Sequence, residues 1–399
     1  MQKLLMSEKG VIGSYYTKAI QQERRSMLKH LKMIAGIAYQ DNKTKALIKR
    51  IPRNAVAVVC HRDIDALAAE GLIHSQVKAV INFNESMTGT YDHDGVWKLL
   101  EAGIPVFDAF GPKQDLDHQY IHIIDGELYV RNNGTYEKVA EVFQYSFNVV
   151  IQRKRHAWNN LSEQYRAFVN NSLTHAEKEL HQFLHPIVQL SLRKKMEGKD
   201  VLIVARGEGY MDDLKAFKRL RGKKEVVIIA VDGGADGLLA CRMKPDFIIG
   251  DMDSVSRKAL TAGDPQLIVH RYLDGSSPGE VRLKQLGLRV DAITFVGTSE
   301  DVALIFSYWA KANKIYMIGT RSSMNEFLEK GRPGMGSSLL ARIQAGHKIV
   351  DLKGIRHVIN ENDYPMPKLV ALPAFLLFAL YFASPKMELL ITIILQVIR

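Results

Sequence analysis

The chain has 399 residues, of which 47% are hydrophobic, a formal net charge of +11 and only two cysteines. That length predicts two or three domains with true cores and excludes a largely disordered chain, while Cys60 and Cys241 alone exclude a disulfide framework or a cysteine metal site and fit a reduced, cytosolic chain. The basic excess gathers at Arg24, Arg25, Lys29, Lys32, Lys43, Lys45, Lys49, Arg50 and Arg53, which suits a solvated helix face or an anionic membrane surface; no zinc-finger spacing, aromatic RNA-binding signature or basic heptad array argues for nucleic acid.

Residues 1–53 read as a basic, irregular segment with one helical stretch around Ser26–Ala38, and no sustained apolar core marks a secretory signal. Residues 54–150 read as a small α/β domain. Strands are predicted at Ala55–Cys60, Ala79–Phe83 and Ile104–Phe107, helices at Asp65–His74 and Trp97–Ala102, and hairpins at Gly126 and Gly134. His61, Asp63 and Asp65 follow the first strand; they have the composition of a metal site, but the two acids equally suit capping of the next helix. Asn82, Asn84, Ser86, Thr88 and Tyr91 form a polar loop with no nucleophile and base to name a reaction. Residues 151–198 carry Leu161, Tyr165, Phe168, Leu173, Leu180, Phe183 and Leu184 at helical spacing, a connector whose stripe must be buried on something, a homodimer partner included. His175, His181 and His185 lack a carboxylate at matching spacing and read as surface histidines.

Residues 199–360 form a second α/β unit. Strands Val201–Ala205, Val226–Val231, Phe247–Ile249, Leu267–His270, Ala292–Val296 and Ile315–Ile318 alternate with helices Met211–Leu220, Asp236–Cys241 and Glu300–Lys311, the pattern of a doubly wound parallel sheet. Residues 231–254, VDGGADGLLACRMKPDFIIGDMDS, put Asp232, Asp246, Asp251 and Asp253 around the ends of two buried strands. Ligands bind beyond the carboxyl ends of such strands. Converging acids need a cation between them, and Mg²⁺ bridged to phosphates is the fitting one, with Asp232, Asp251 and Asp253 as its ligands. Gly233, Gly234 and Gly250 allow close approach of backbone to a ligand, and Arg206 at the end of the first strand can grip phosphate through its planar fork. Arg332, Gly334, Gly336, Ser337 and Ser338 run into a helix at Leu339–Gln344, either as an anion-binding helix start or as an ordinary one.

Near the end, Leu369–Ser384 is uncharged and Leu389–Ile398 is apolar, separated by Pro385, Lys386, Met387 and Glu388. The first piece would span about 24 Å as a helix against a hydrocarbon core of about 30 Å. Residues 369–398 are therefore expected to be a hydrophobic membrane-anchor segment, a short span or a hairpin. Lys353, Arg356 and Lys368 on its flank would keep the preceding domains on the cytoplasmic face. The expected architecture is two Rossmann-like parallel-sheet domains joined by a helical connector, with this C-terminal segment.

DGGADGLL followed by KPDFIIGDMDS resembles the nucleotide-binding half of thiamine pyrophosphokinases, which move a diphosphate from ATP to thiamine. HRDIDALAAEGL, INFNESMTGTY, YLDGSSPGE and EKGRPGMGSSLLARIQAGHKIVDLKG resemble, over nearly the whole chain, the SteA-like proteins, described as cytokinetic-ring or cell-division proteins with a pyrophosphokinase-like domain. The resemblance implies ATP or a related nucleotide with Mg²⁺, catalytic roles for Asp232, Asp251 and Asp253, nucleotide contacts at Ser254, Asp274, Gly297 and Asp301, and a partner in the division machinery. The family's Lys-Asp-x-Thr-Asp run is reduced here to Tyr272-Leu273-Asp274-Gly275-Ser276-Ser277, and its Gly-Gly-Arg-x-Asp-His motif to Gly297-Thr298-Ser299-Glu300-Asp301. Diphosphate transfer depends on positioning and charge neutralisation, so the resemblance implies binding of a nucleotide or diphosphate ligand ahead of an active diphosphokinase or a scaffold with a vestigial site.

Overall fold

The computed structural model describes residues 34–359, apart from 133, 188, 189, 223 and 254, together with 393, 395 and 396. The N-terminal unit begins with β1 (Ile34–Gln40), α1 (Thr44–Arg50), β2 (Val56–Val59), α2 (Ala66–His74), β3 (Ala79–Asn82), α3 (Gly95–Glu101) and β4 (Val106–Phe110). It ends in a meander of β5 (Tyr120–Ile124), β6 (Glu127–Asn132) and β7 (Thr135–Gln144). β1 to β4 pair in parallel, β7 joins β4 antiparallel, and β5 closes onto β1, so the strands form a barrel in the order β1-β2-β3-β4-β7-β6-β5.

Period-two alternation explains the two layers. Val56 and Val58 of β2 join Ile81, Phe107, Ile121 and Leu128 inside the barrel, whereas Ala57 and Val59 pack outward with Leu72 and Leu99 of the helices. The first domain is thus a closed mixed barrel and not the open parallel sheet expected, because the meander returns to cover both free edges. The helix expected over Ser26–Ala38 also gives way. Its last residues, from Ile34, lie in β1, where Ile34 and Ala38 are buried between β2 and β5; the rest lies outside the described residues.

A 37-residue helix, α4 (Phe147–Phe183), starts on the barrel, with Phe147 edge-on to Trp97, and continues to the second unit, where Phe168 meets Phe327. Ser146 caps it by accepting from the Val149 N–H. After α5 (Leu190–Met196) come β8 (Val201–Val204), α6 (Tyr210–Arg221), β9 (Val227–Val231), α7 (Gly234–Ala240), β10 (Phe247–Gly250), α8 (Arg257–Thr261) and β11 (Gln266–Arg271). Then follow α9 (Pro278–Gln285), β12 (Asp291–Thr294), α10 (Ser299–Trp309), β13 (Ile315–Ile318), α11 (Met324–Leu328), α12 (Gly336–Ala345) and β14 (Ile349–Asp351). All seven strands are parallel, in the order β12-β11-β10-β9-β8-β13-β14. The chain winds one way from β8 to β12 and then crosses to the other side of β8, as the strand runs anticipated. Apolar cores lie on both faces, one with Ile203 and Phe306, the other with Leu202 and Leu238.

Membrane anchoring through 369–398 is withdrawn. Among the described residues no helix is long and apolar enough to cross a membrane, and Pro385, Lys386 and Glu388 interrupt the only apolar stretch that suggested one. All of that stretch except Ile393, Leu395 and Gln396 lies outside the described residues. The expected placement on the cytoplasmic face of a membrane falls with it.

Candidate functional site

The carboxyl ends of β8, β9 and β10 open into a cleft of about 620 Å³ whose far wall is the barrel. Asp232 follows β9 with φ +45 and accepts from the Met252 N–H through Oδ1 at 3.2 Å. Gly250 at the end of β10 has φ +151, and a Cβ there would stand 1.9 Å from Asp232 Oδ1. Only glycine lets the two strand ends bring their acids this close. Burial, then the neighbouring Asp251, pushes the Asp232 carboxyl up to about 7, and burial also raises Asp251. Asp251 Oδ1 accepts from the Asp253 N–H at 3.0 Å, in the tight turn that follows β10.

Asp253 lines the same cleft beside Asp251. Its carboxylate takes two bonds from Lys45 Nζ, at 2.9 and 3.2 Å, across the cleft from α1 of the barrel. Among the described residues no group of three or more His, Cys, Asp or Glu side chains is arranged to hold a metal ion, although Asp251 lies beside both Asp232 and Asp253, and Asp253 is also paired with a lysine. Asp232 and Asp251 are still an oxygen-only donor set of the kind that suits a hard cation completed by phosphate oxygens.

Arg206 and Gly233 line the cleft as expected, and Gly234 starts α7 packed against the Val204 carbonyl. The other resemblance-derived positions do different work. Asp301 forms a capping box with Thr298 and accepts from Ser337 Oγ at 3.2 Å, which ties α10 to α12, and Gly297 sits where a side chain would strike Ser337. Asp274 is bonded by Ser276 within its own exposed loop and does not line the cleft. Asp246 accepts from the Ile228 N–H at 2.7 Å, between strands. Ser254 lies outside the described residues. Gly334 and Gly336 let the chain pass close to α4, where added Cβ atoms would lie 2.9 Å from the Ser172 nitrogen and 2.6 Å from His175 Cβ. The start of α12 is therefore a packing joint with α4.

On the barrel wall the sequence marked His61, Asp65 and Asn82, but not Thr44 or the part Lys45 and Lys330 play in the cleft. Asp65 caps α2 by accepting from the Ala68 N–H at 2.6 Å and pairs with Lys330 of the second unit at 2.7 Å; burial opposes ionisation, but Lys330 holds its carboxyl below the usual range. Asp63 binds Thr88 and His93 instead, so the capping reading holds for Asp65 alone. His61 receives the Thr44 hydroxyl contact at Nδ1, 3.1 Å, and burial lowers its basicity. Asn82 holds its backbone from both sides, at 2.9 and 2.7 Å. Lys330, Arg321 and Arg332 complete a cationic rim. Glu300 accepts from both the Arg321 N–H and its guanidinium, which orients that arginine. The arrangement is a groove with Asp232, Asp251 and Asp253 at one side and Lys45, Arg206, Arg321, Lys330 and Arg332 among the acids and bases of its walls, chemistry suited to a polyphosphate with a divalent cation.

A family model described as the thiamin pyrophosphokinase catalytic domain matches residues 218–271. That segment holds β9, β10 and the acids Asp232, Asp251 and Asp253. A solved thiamine pyrophosphokinase from Bacillus subtilis is similar at 20% identity and a TM-score of 0.24, over 38% of this chain and 60% of that one, so the likeness spans less than two thirds of that protein. No curated protein matches.

Proposed function

We propose that the interdomain cleft binds a nucleotide or another diphosphate compound together with Mg²⁺, ATP being the first ligand to test. The observation that carries this reading is the close pair Asp232 and Asp251 at adjacent strand ends, facing a rim of Arg206, Arg321, Lys330 and Arg332. A carboxylate whose affinity for protons is raised by burial and by a neighbouring carboxylate, as that of Asp232 is by Asp251, is also poised to share a cation. Phosphate oxygens would complete its shell and meet the arginines. Asp253 is the third ligand only if Lys45 releases it.

Diphosphate transfer from ATP to thiamine or another small alcohol is the second reading, favoured by the family match to 218–271. Against it stand the missing lysine and acid of the loop at Tyr272–Ser277 and the structural duty of Asp301. A part in cell division, which the wider SteA-like resemblance implies, rests on those motifs alone; a fluorescently tagged chain that ignores the septum would count against it.

Titration calorimetry with ATP, ADP and thiamine diphosphate, with and without Mg²⁺, tests the binding. The expected result is Mg²⁺-dependent affinity that is lost when Asp251 and Asp253 are both changed to Asn. Unchanged affinity and metal dependence in that variant refute the assignment. Incubation with ATP, Mg²⁺ and thiamine, with chromatography for AMP and thiamine diphosphate, separates the two readings, and robust turnover abolished by Asp251→Asn would put transfer first.

A further inference from the structure

The outward face of α4 carries exposed apolar side chains where a connector needs none, and Trp158 on it is 73% exposed. A helix of 37 residues is about 55 Å long, so this is an extended strip and not an isolated patch. Its residues are spaced symmetrically about one point. Phe147 and Leu184 lie equally far from the midpoint between Tyr165 and Arg166; so do Ile151 and Leu180, and so do Trp158 and Leu173, all of them exposed. Leu161 is the exception, since its counterpart is Asn170. Tyr165, 59% exposed, sits at the centre.

Inversion symmetry of this kind does nothing for a single chain. It is what a two-fold axis requires, because an isologous contact sets each residue against the mirror position of the other copy. The charges agree. Arg153, Lys154 and Arg155 crowd the start of the helix and Glu177 and Glu179 its end, so antiparallel copies would bring exposed Arg155 within one residue of level with Glu177, while parallel copies would oppose like charges. We propose that the chain forms a homodimer through antiparallel packing of α4 on α4 of a second copy, with the two-fold axis at Tyr165 and Arg166.

Cross-linking with a short bismaleimide and sedimentation of the full chain test this, and the exposed positions used spare the core. Tyr165→Cys is expected to give a covalent dimer, and so is the double variant Phe147→Cys with Leu184→Cys. Phe147→Cys alone is not, because antiparallel packing would hold the two copies of that site about 55 Å apart. The unsubstituted chain, with only Cys60 and Cys241, controls for native thiols. Trp158→Glu with Leu173→Glu is expected to halve the sedimenting mass while leaving the circular dichroism spectrum unchanged. A monomeric full chain, as when another part of the same chain covers the strip, overturns the proposal. So do a dimer that survives the double Glu variant and efficient linking through Phe147→Cys alone.

Discussion

Asp108 lies at 3% exposure in β4, where it accepts from Ser86 N–H at 3.0 Å, Ser86 Oγ at 2.6 Å and Tyr145 Oη at 2.8 Å. Burial outweighs these donors and pushes its carboxyl from 3.8 up to about 6. Because the folded value is the higher one, the stabilising contribution is complete below about pH 3.8 and is lost as pH rises through about 6. At about 1.36 kcal/mol per unit the total is about 3 kcal/mol, of which about 2 kcal/mol falls between roughly pH 4.5 and 7.5. Asp108→Asn keeps the size and the acceptor for Ser86 but removes the titration. Urea unfolding of both proteins at those two pH values should therefore show the variant losing about 2 kcal/mol less than the parent as pH rises. An identical pH response in the two would refute the reasoning. The result bears on the cleft, since Ser86 Oγ also takes a bond from Asn82, at 2.9 Å, and Asn82 fixes the backbone of His61.

Gly250→Ala should abolish ligand binding and lower stability by at least about 2 kcal/mol, because its Cβ collides with the Asp232 carboxylate at a φ that L residues avoid; a soluble variant with parental affinity and melting temperature would contradict the close-pair geometry. Lys45→Ala removes a pair whose side chains are 43% and 41% exposed, so stability should change by less than about 1 kcal/mol while Mg²⁺ affinity rises, as calorimetry would show. Weaker Mg²⁺ binding in that variant would mean that Lys45 serves the ligand directly.

Much of the sheet domain was legible because buried parallel strands are short apolar runs, and each from Val201 to Ile318 lay within a residue or two of its expected bounds. The barrel was not, since closure depends on β5 meeting β1 across some eighty intervening residues, a pairing that no local pattern encodes. β1 follows a basic stretch and its burial does not alternate, so its residues were read as the end of a helix. The floor of the cleft was visible as Asp232, Gly250 and Asp251. The pairing of its far wall with that floor was hidden because Lys45 and Asp253 are 208 positions apart and Lys330 and Asp65 are 265 apart. Lys45 could only be counted as one more charge in a basic run.

The strand order of the sheet also sets a schedule for synthesis. β8 is made first and can pair with β9 almost at once, but its other neighbour, β13, begins only at Ile315. At ribosomal speeds of about 5–20 residues per second, that second edge of an entirely apolar strand stays open for on the order of ten seconds. Exposed edges of this kind recruit foreign strands. A transcript cut between β12 and β13 should therefore yield inclusion bodies and not a smaller folded product, even though every residue at the floor of the cleft would already have been made.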